Sequence, residues 1–426
     1  GRLDPEQFSA ATCPLPDREQ AVELLEPVVA ASLGTISLTV HGHPPRTDDR
    51  WTPPGQAADD DTLELARLTR RPDRSRRRWS FTAISSGDQH RHDDPADATG
   101  ADAGAADEPA GPDEPGRELP ADADAGALAT LPAGATFGTL VHSVLELVDF
   151  TSDSLADDLR AQVERQLSYR PVDLAPRRAD GTRGTPEEGL DLLVAGLQDS
   201  IETPLGALLG DRRLRDLPGA DRLDEMDFDL RLGDAQQPAS DAELGALIEA
   251  HLAPADLFDR QPLHDWASGL LGGRFGAELA GHLTGSIDAV LRVTDEQGDP
   301  RFVVVDYKTN RLTPRGVAAS AADYRPAQLV RAMADHHYPL QALLYSVALH
   351  RYLRWRLPDY DPARHLGGVA YLFVRGMVGA RTGVSDGERH GVFSWRVPPA
   401  LVLDLSDLLD GRRPGAVGAT DRELLR

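Results

Sequence analysis

The sequence predicts a folded α/β domain over residues 132–426, and three observations carry that reading. Val303, Val304 and Val305 form a β-branched run suited to a buried strand. A second apolar segment, 284–293, precedes it across a cluster of turn formers, Asp295, Glu296, Gln297, Gly298, Asp299 and Pro300, which marks a β-hairpin with a slightly long loop. Apolar residues recur at helical spacing on both sides of this pair, over 136–148 and 327–355.

Taken in chain order, residues 1–85 are mixed, with a helix expected over 19–32 and strands over 33–40 and 79–84. Between them lies an arginine cluster, Arg67, Arg70, Arg71, Arg74, Arg76, Arg77 and Arg78, which reads either as a solvated basic face or as a contact for DNA or an acidic surface. Residues 86–131 consist largely of Ala, Asp, Gly, Pro and Glu and cannot bury enough apolar area to offset chain entropy, so a disordered acidic tether is expected there. As a random coil its ends would lie roughly 35–40 Å apart. Thr136 is placed to cap the next helix, whose apolar face is Phe137, Leu140, Val141, Val144, Leu145 and Val148. Helices are also expected over 191–209 and 242–252, a long helix over 327–355 with an interruption near Pro339, and a buried strand over 368–374. No internal repeat is visible.

Composition narrows the function. Among the 426 residues no run of about 18 apolar side chains occurs, so no membrane association is expected. The single cysteine, Cys13, excludes an internal disulfide and any four-cysteine metal site and fits a reducing, cytoplasmic setting. The chain begins with Gly1 rather than Met, which raises the expectation of a piece of a longer polypeptide. A formal charge of −24 argues at first against nucleic acid, but residues 86–130 hold 12 acidic and 2 basic side chains, so much of the excess sits in one stretch. Of the 45 basic residues only one is lysine, Lys308.

That lysine lies where the chemistry concentrates. Alternation along a strand puts Asp306 and Lys308 on one face, and Asp288 on the preceding strand comes within reach if the two strands pair. Two carboxylates converging on one point repel unless a proton or cation stands between them, and a hard divalent cation such as Mg²⁺ satisfies them. Such an ion polarises a phosphate and acidifies water, while a compact ammonium can orient the attacking water or neutralise developing charge. A planar guanidinium that never deprotonates suits this role less well.

The order Asp288, then Asp306, Tyr307 and Lys308, resembles the PD-(D/E)xK nuclease signature, with Ile287 where that signature often has proline. Gly138, His142, Leu145 and Glu146 look like the GxxxHxxLE helix of RecB-type nucleases, and His336, Tyr338, Gln341 and Tyr345 resemble the family's QxxxY helix. The stretches 348–353, 359–361 and 367–376 are similar to the RecB C-terminal domain in particular. Leu223, Asp224, Glu225 and Met226 are similar to a RecB segment in which Glu precedes Met.

The resemblance implies a restriction-endonuclease-like mixed central sheet flanked by helices over 132–426. It implies one or two Mg²⁺ ions held by His142, Asp288, Asp306 and the backbone carbonyl of Tyr307, with Asp288, Asp306 and Lys308 catalytic. Glu225, Gln341, Tyr345 and Glu146 would support the site. The substrate would be single-stranded DNA from unwound duplex ends, the partners RecC-like and RecD-like subunits, and residues 1–85 the end of a helicase portion. No GxxxxGK[ST] phosphate loop can be formed around the one lysine, so the motor is expected elsewhere. An AddA-type subunit and a non-catalytic nuclease-fold scaffold that binds DNA or protein remain alternatives.

Overall fold

The computed structural model describes residues 17–32, 34–40, 77–85, 125–177, 181–233, 237–252, 262–295, 297–313 and 320–413. The chain divides into two units, Gly1–Arg71 and Pro72–Arg426. In the first, helix α1 (Arg18–Ala31) starts at a capping box: the Asp17 carboxylate accepts from the Gln20 N–H, and the Gln20 side chain accepts from the Asp17 N–H. The strand expected over 33–40 does not form among the described residues, where Ile36, Leu38 and Val40 stay exposed and no second strand pairs with them. Five arginines of the basic cluster, Arg67 to Arg76, lie outside the described residues.

The second unit contains, in order, β1 (Arg78–Trp79), α2 (Phe81–Ser85), α3 (Ala135–Leu147), α4 (Leu155–Tyr169), α5 (Pro186–Glu202), β2 (Arg222–Arg231), β3 (Ala239–Ser240), α6 (Asp241–His251), α7 (Leu263–Leu271) and β4 (Glu278–Leu279). It continues with β5 (His282–Thr294), β6 (Pro300–Lys308), α8 (Pro326–Asp335), α9 (Tyr338–Arg356), α10 (Pro362–His365), β7 (Leu366–Phe373), β8 (Val384–Ser385), β9 (Glu388–Arg389), β10 (Val392–Trp395) and α11 (Pro399–Leu409). The central sheet runs β1-β5-β6-β7-β10, with β2 also on β5. It is mixed, as expected: β5–β6, β2–β5 and β7–β10 are antiparallel, whereas β6–β7 and β1–β5 are parallel.

Alternation on β6 sorts its side chains onto two cores. Val303, Val305 and Tyr307 pack with α3, α4 and α5, and Val304 packs with α6 to α9 and α11 on the other face. β2 occupies one edge of β5 from His282 to Leu291, so β1 and β6 must share the other edge, at His282–Leu283 and from Ala289 onward. The unpaired interval between them leads directly to Asp288.

Several sequence expectations shift by short distances. The strand expected over 79–84 is only β1; Ser80 then caps a helical turn, its hydroxyl accepting from the Ala83 N–H at 3.2 Å. Residues 77–85, assigned to the N-terminal region, thus add a strand to the main sheet. Thr136 does not cap α3, because the helix begins two residues earlier than that cap would give, at Ala135 after Gly134 at φ 111°. The helix expected over 191–209 starts earlier, at the Thr185 cap with Pro186 at its first position, and stops at Glu202; a 3₁₀ turn follows at Ala207–Leu209. The long helix breaks into α8 and α9 at His336 and His337, the latter left-handed with φ 59°.

Most of the expected tether lies outside the described residues, but its last part is folded. Residues 125–131 carry a 3₁₀ turn, Ala127–Thr130, and bury Leu128 and Leu131. Buried Arg375 holds them down: its guanidinium donates to the carbonyls of Leu128, Leu131, Pro132 and Thr309, the last one residue beyond Lys308.

One irregularity sets the register at the sheet's centre. Phe302 pairs with Leu366, but Val303 pairs with Gly368, so Gly367 is an inserted residue, and thereafter Asp306 lies beside Tyr371 and Lys308 beside Phe373. Without the insertion Tyr371 would turn to the opposite face from Asp306. Gly368 has φ 112°, and a Cβ there would lie 2.5 Å from the Trp395 carbonyl. Gly368→Ala is therefore expected to cost about 2–5 kcal/mol of stability, read as a lowered urea midpoint; an unchanged midpoint would show that the bulge is not required.

Candidate active site

Helix α3 buries Phe137, Leu140, Val141, Val144 and Leu145, and this packing turns His142 toward the sheet. Its Nδ1 lies 3.3 Å from Asp288 Oδ2. Asp288 stands just before the β5–β6 ladder begins at Ala289↔Val305, and the Tyr307 N–H donates to Asp288 Oδ2 at 2.7 Å. Continuing the same register sets Asp306 across from Asp288. Asp306 is fully buried, and its Oδ2 lies 2.9 Å from Lys308 Nζ, which is only 3% exposed. The structure thus brings together His142, Asp288, Asp306 and Lys308. The Tyr307 ring turns to the opposite core and meets the His142 ring edge-on at 6.2 Å.

The supporting residues take different positions. Glu225 on β2 falls at the gap in the β2–β5 pairing between Asp224↔Ala289 and Met226↔Ile287, where Asp288 also stands; it is in the left-handed region at φ 47° and accepts from Ser286 Oγ at 2.9 Å. A non-glycine residue in that conformation stores roughly 1–3 kcal/mol of strain, which the fold supports here beside the Asp288 and Asp306 carboxylates. Glu146 lies one turn beyond His142, partly buried, where burial and Asp224 raise its pKa. Gln341 and Tyr345 are buried on α9 in a relay: Tyr371 Oη donates to Gln341 Oε1 at 3.0 Å, and Gln341 Nε2 donates to Tyr345 Oη at 3.1 Å. Sequence reasoning gave no role to Tyr338, Tyr371 or Asn310, yet Lys308 Nζ lies 4.0 Å from the Tyr338 ring centroid and Tyr338 Oη donates to Asn310 Oδ1 at 3.1 Å. Tyr338 is grouped with Gln341 and Tyr345 by the QxxxY resemblance, one helical turn before Gln341, but without a role of its own.

Electrostatics explain how these groups coexist. Burial pushes the Asp306 carboxyl up to about 7; Lys308 opposes the shift and Asp288 adds to it. Burial also opposes charge on His142, but the Asp288 carboxylate, through its charge and hydrogen bond, and then Asp306 outweigh it and raise the imidazole to about 9. Asp288 is held below its usual range: burial raises it, but His142, Lys308 and the Tyr307 N–H prevail. Burial and Asp288 push Glu225 up to about 7.

The donor set suits a hard divalent cation. Asp306 Oδ1 is buried and accepts no hydrogen bond, leaving a carboxylate oxygen without a donor beside a second carboxylate and an imidazole. Among the described residues no three His, Cys, Asp or Glu side chains stand as a ready cage. His142 and Lys308 are the cationic groups that face the two carboxylates, 3.3 Å from Asp288 and 2.9 Å from Asp306.

This arrangement has a pH signature in the metal-free protein. His142 is raised above its ordinary 6.5, so its contribution to stability is full below that value and lost as pH rises through about 9. Asp306 acts in the same sense from its ordinary 3.8 to about 7, because the fold favours the neutral acid. Between pH 3.8 and about 9 these two groups are therefore expected to cost the chelated protein stability as pH rises, while Asp288, held low, acts in the opposite sense below that range; Asp288→Asn should remove the part above neutrality. A stability profile for Asp288→Asn that matches the unmodified chain would contradict the pairing.

Comparison with known proteins places the chain in a family. A family profile described as the PD-(D/E)XK nuclease superfamily matches residues 118–390. The RecBCD enzyme subunit RecB of Mycobacterium tuberculosis H37Rv is 47% identical over 292 residues, covering 67% of this chain and 24% of that protein. The RecB subunit of Mycolicibacterium smegmatis is 45% identical over 292 residues, 67% of this chain and 25% of its own length. That of Escherichia coli K12 is 29% identical over 280 residues, 66% and 19% respectively. The chain spans about a quarter of the length of the mycobacterial relatives. On the family match and the site geometry together, this chain belongs to the PD-(D/E)XK nuclease superfamily, and its folded region is a homologue of the nuclease portion of RecB subunits.

Proposed function

We propose that this chain hydrolyses phosphodiester bonds in single-stranded DNA, with Mg²⁺ as its cation, as the nuclease portion of a RecB subunit. The observation that supports the reading most is the buried meeting of Asp288, Asp306, His142 and Lys308, with Asp306 Oδ1 lacking a donor. Asp288, Asp306, His142 and the Tyr307 backbone carbonyl would hold one ion or two, and the bound cation supplies positive charge against the phosphate and lowers the pKa of water.

The chain's own groups do the rest. Lys308 brings a compact ammonium to the phosphate, where it neutralises charge that develops on the oxygens and orients water. Glu225, with a pKa near 7, can accept or return a proton beside Asp288. Gln341 and Tyr345 keep α9 fixed against β7 through Tyr371. The RecB names of the relatives extend the proposal to RecC-like and RecD-like partners and to strands delivered from unwound duplex ends. A delivered substrate accounts for a nuclease with net charge −24, since it need not capture DNA unaided. No described helix is long and apolar enough to cross a membrane, and we place the protein with the DNA in the cytoplasm.

Three outcomes test the reading. Asp306→Ala and Lys308→Ala are each expected to lower Mg²⁺-dependent cleavage of single-stranded DNA at least about 100-fold; equal cleavage by all three proteins would remove the assignment. Cation binding should displace the proton on His142 and that shared around Asp306, so affinity should rise from neutral pH to about 9 with proton release on titration. A Lys308→Ala protein that still gains stability from Mg²⁺ fits, because Lys308 is not a ligand; a chain that gains none is a scaffold.

A further inference from the structure

We propose that Tyr338 and Tyr371 form an aromatic wall that fixes the Lys308 ammonium for the phosphate, which makes Tyr338 a positioning residue of the reaction proposed above; the inference rests on that reading. Lys308 Nζ lies 4.0 Å from the Tyr338 ring centroid and 5.6 Å from that of Tyr371. Both rings are fully buried, and they stack with centroids 5.6 Å apart and planes 24° from parallel.

Each ring is held in its plane from its far end. Tyr338 Oη donates to Asn310 Oδ1, and Tyr371 Oη donates to Gln341 Oε1 at 3.0 Å and to the Tyr338 carbonyl at 3.3 Å. The His336 ring also stacks with Tyr338, centroids 5.2 Å apart and planes 19° from parallel. The bulge at Gly367 is what brings Tyr371 beside Asp306, and hence beside the lysine two residues on.

The wall answers a conflict within the site. Asp306 Oδ2 is the ion-pair partner of Lys308, yet the same carboxylate is a proposed ligand of the cation. A carboxylate drawn to a divalent ion holds an ammonium less firmly, and a lysine has four rotatable carbons through which to wander. A ring face attracts an ammonium without offering a lone pair to the metal, and when desolvated it contributes enough to keep the head group in place. The predicted consequence falls on turnover rather than on DNA affinity, because the ring touches the lysine and not the strand.

Lys308 is the only lysine, so protein grown on ¹³C,¹⁵N-lysine gives a single lysine spin system. In the folded chain its Hε protons are expected upfield of their position in the denatured chain, through the ring currents of Tyr338 and Tyr371. Tyr338→Leu should lose most of that shift and lower kcat about 10- to 30-fold with KM for single-stranded DNA within threefold. Tyr338→Phe, which keeps the ring face and gives up only the Asn310 tether, should restore most of both. Absence of the upfield shift in the unsubstituted folded chain overturns the wall even if Tyr338→Leu fails to fold. Equal loss of kcat in Tyr338→Phe and Tyr338→Leu also overturns it, as would unchanged kcat in Tyr338→Leu. Undiminished cleavage by Lys308→Ala would defeat the nuclease reading instead, and the lysine spectrum would still decide the wall.

Discussion

Two buried carboxylates facing each other across the parting of two strands are the constraint to which the rest of the structure answers. Asp288 and Asp306 stand opposite in the β5–β6 register, both away from water, and neither can ionise beside the other without positive charge nearby. Lys308 supplies one charge from two residues along the same strand, and His142 supplies another from a helix on the opposite face of the sheet. The strand geometry makes room for them. The antiparallel ladder ends at Ala289↔Val305, and the next N–H on β6 beyond Asp306, that of Tyr307, serves the Asp288 side chain.

The support for that point is distributed over distant parts of the chain. The Gly367 insertion sets which face of β7 meets Asp306, and Arg375, immediately after the strand, ties the Thr309 carbonyl to the segment around Leu128. Glu225 shows the strain that such a site carries, since its left-handed backbone occurs at the gap in the β2–β5 pairing where Asp288 also stands. On α9, Tyr338, Gln341 and Tyr345 present successive turns to the sheet, so one helix contributes both the ring against Lys308 and the amide that anchors Tyr371. These contacts make the site a property of the sheet and its two covering layers together.

Much of this was legible from residue order. The β-branched run ending in Asp306 and Lys308 declares a buried strand with charges at its mouth, alternation gives them one face, and a lone lysine among 44 arginines singles out the place. His142 and Glu146 share one helical face by their spacing, but only the resemblance to the GxxxHxxLE helix singles them out. What escaped depends on contacts that spacing does not encode. The run 79–84 looks like a strand, but the Ser80 hydroxyl turns it into a helix. Leu128 and Leu131 sit at the end of an acidic stretch and are buried because a remote arginine gathers their carbonyls. Tyr371 reaches Lys308 through a parallel pairing whose register is decided by one inserted glycine, which periodicity alone cannot show.

The central claim is that a divalent cation belongs among His142, Asp288 and Asp306, with Lys308 beside it and outside its coordination. Anomalous diffraction from crystals soaked in Mn²⁺, collected on both sides of the manganese edge, tests this most directly. The account predicts a peak within about 2.0–2.3 Å of oxygens of Asp288 and Asp306 and of a ring nitrogen of His142, with the Asp288–His142 contact opened. A chain that binds Mn²⁺ elsewhere, or keeps the His142–Asp288 pair closed at saturating metal, would contradict it.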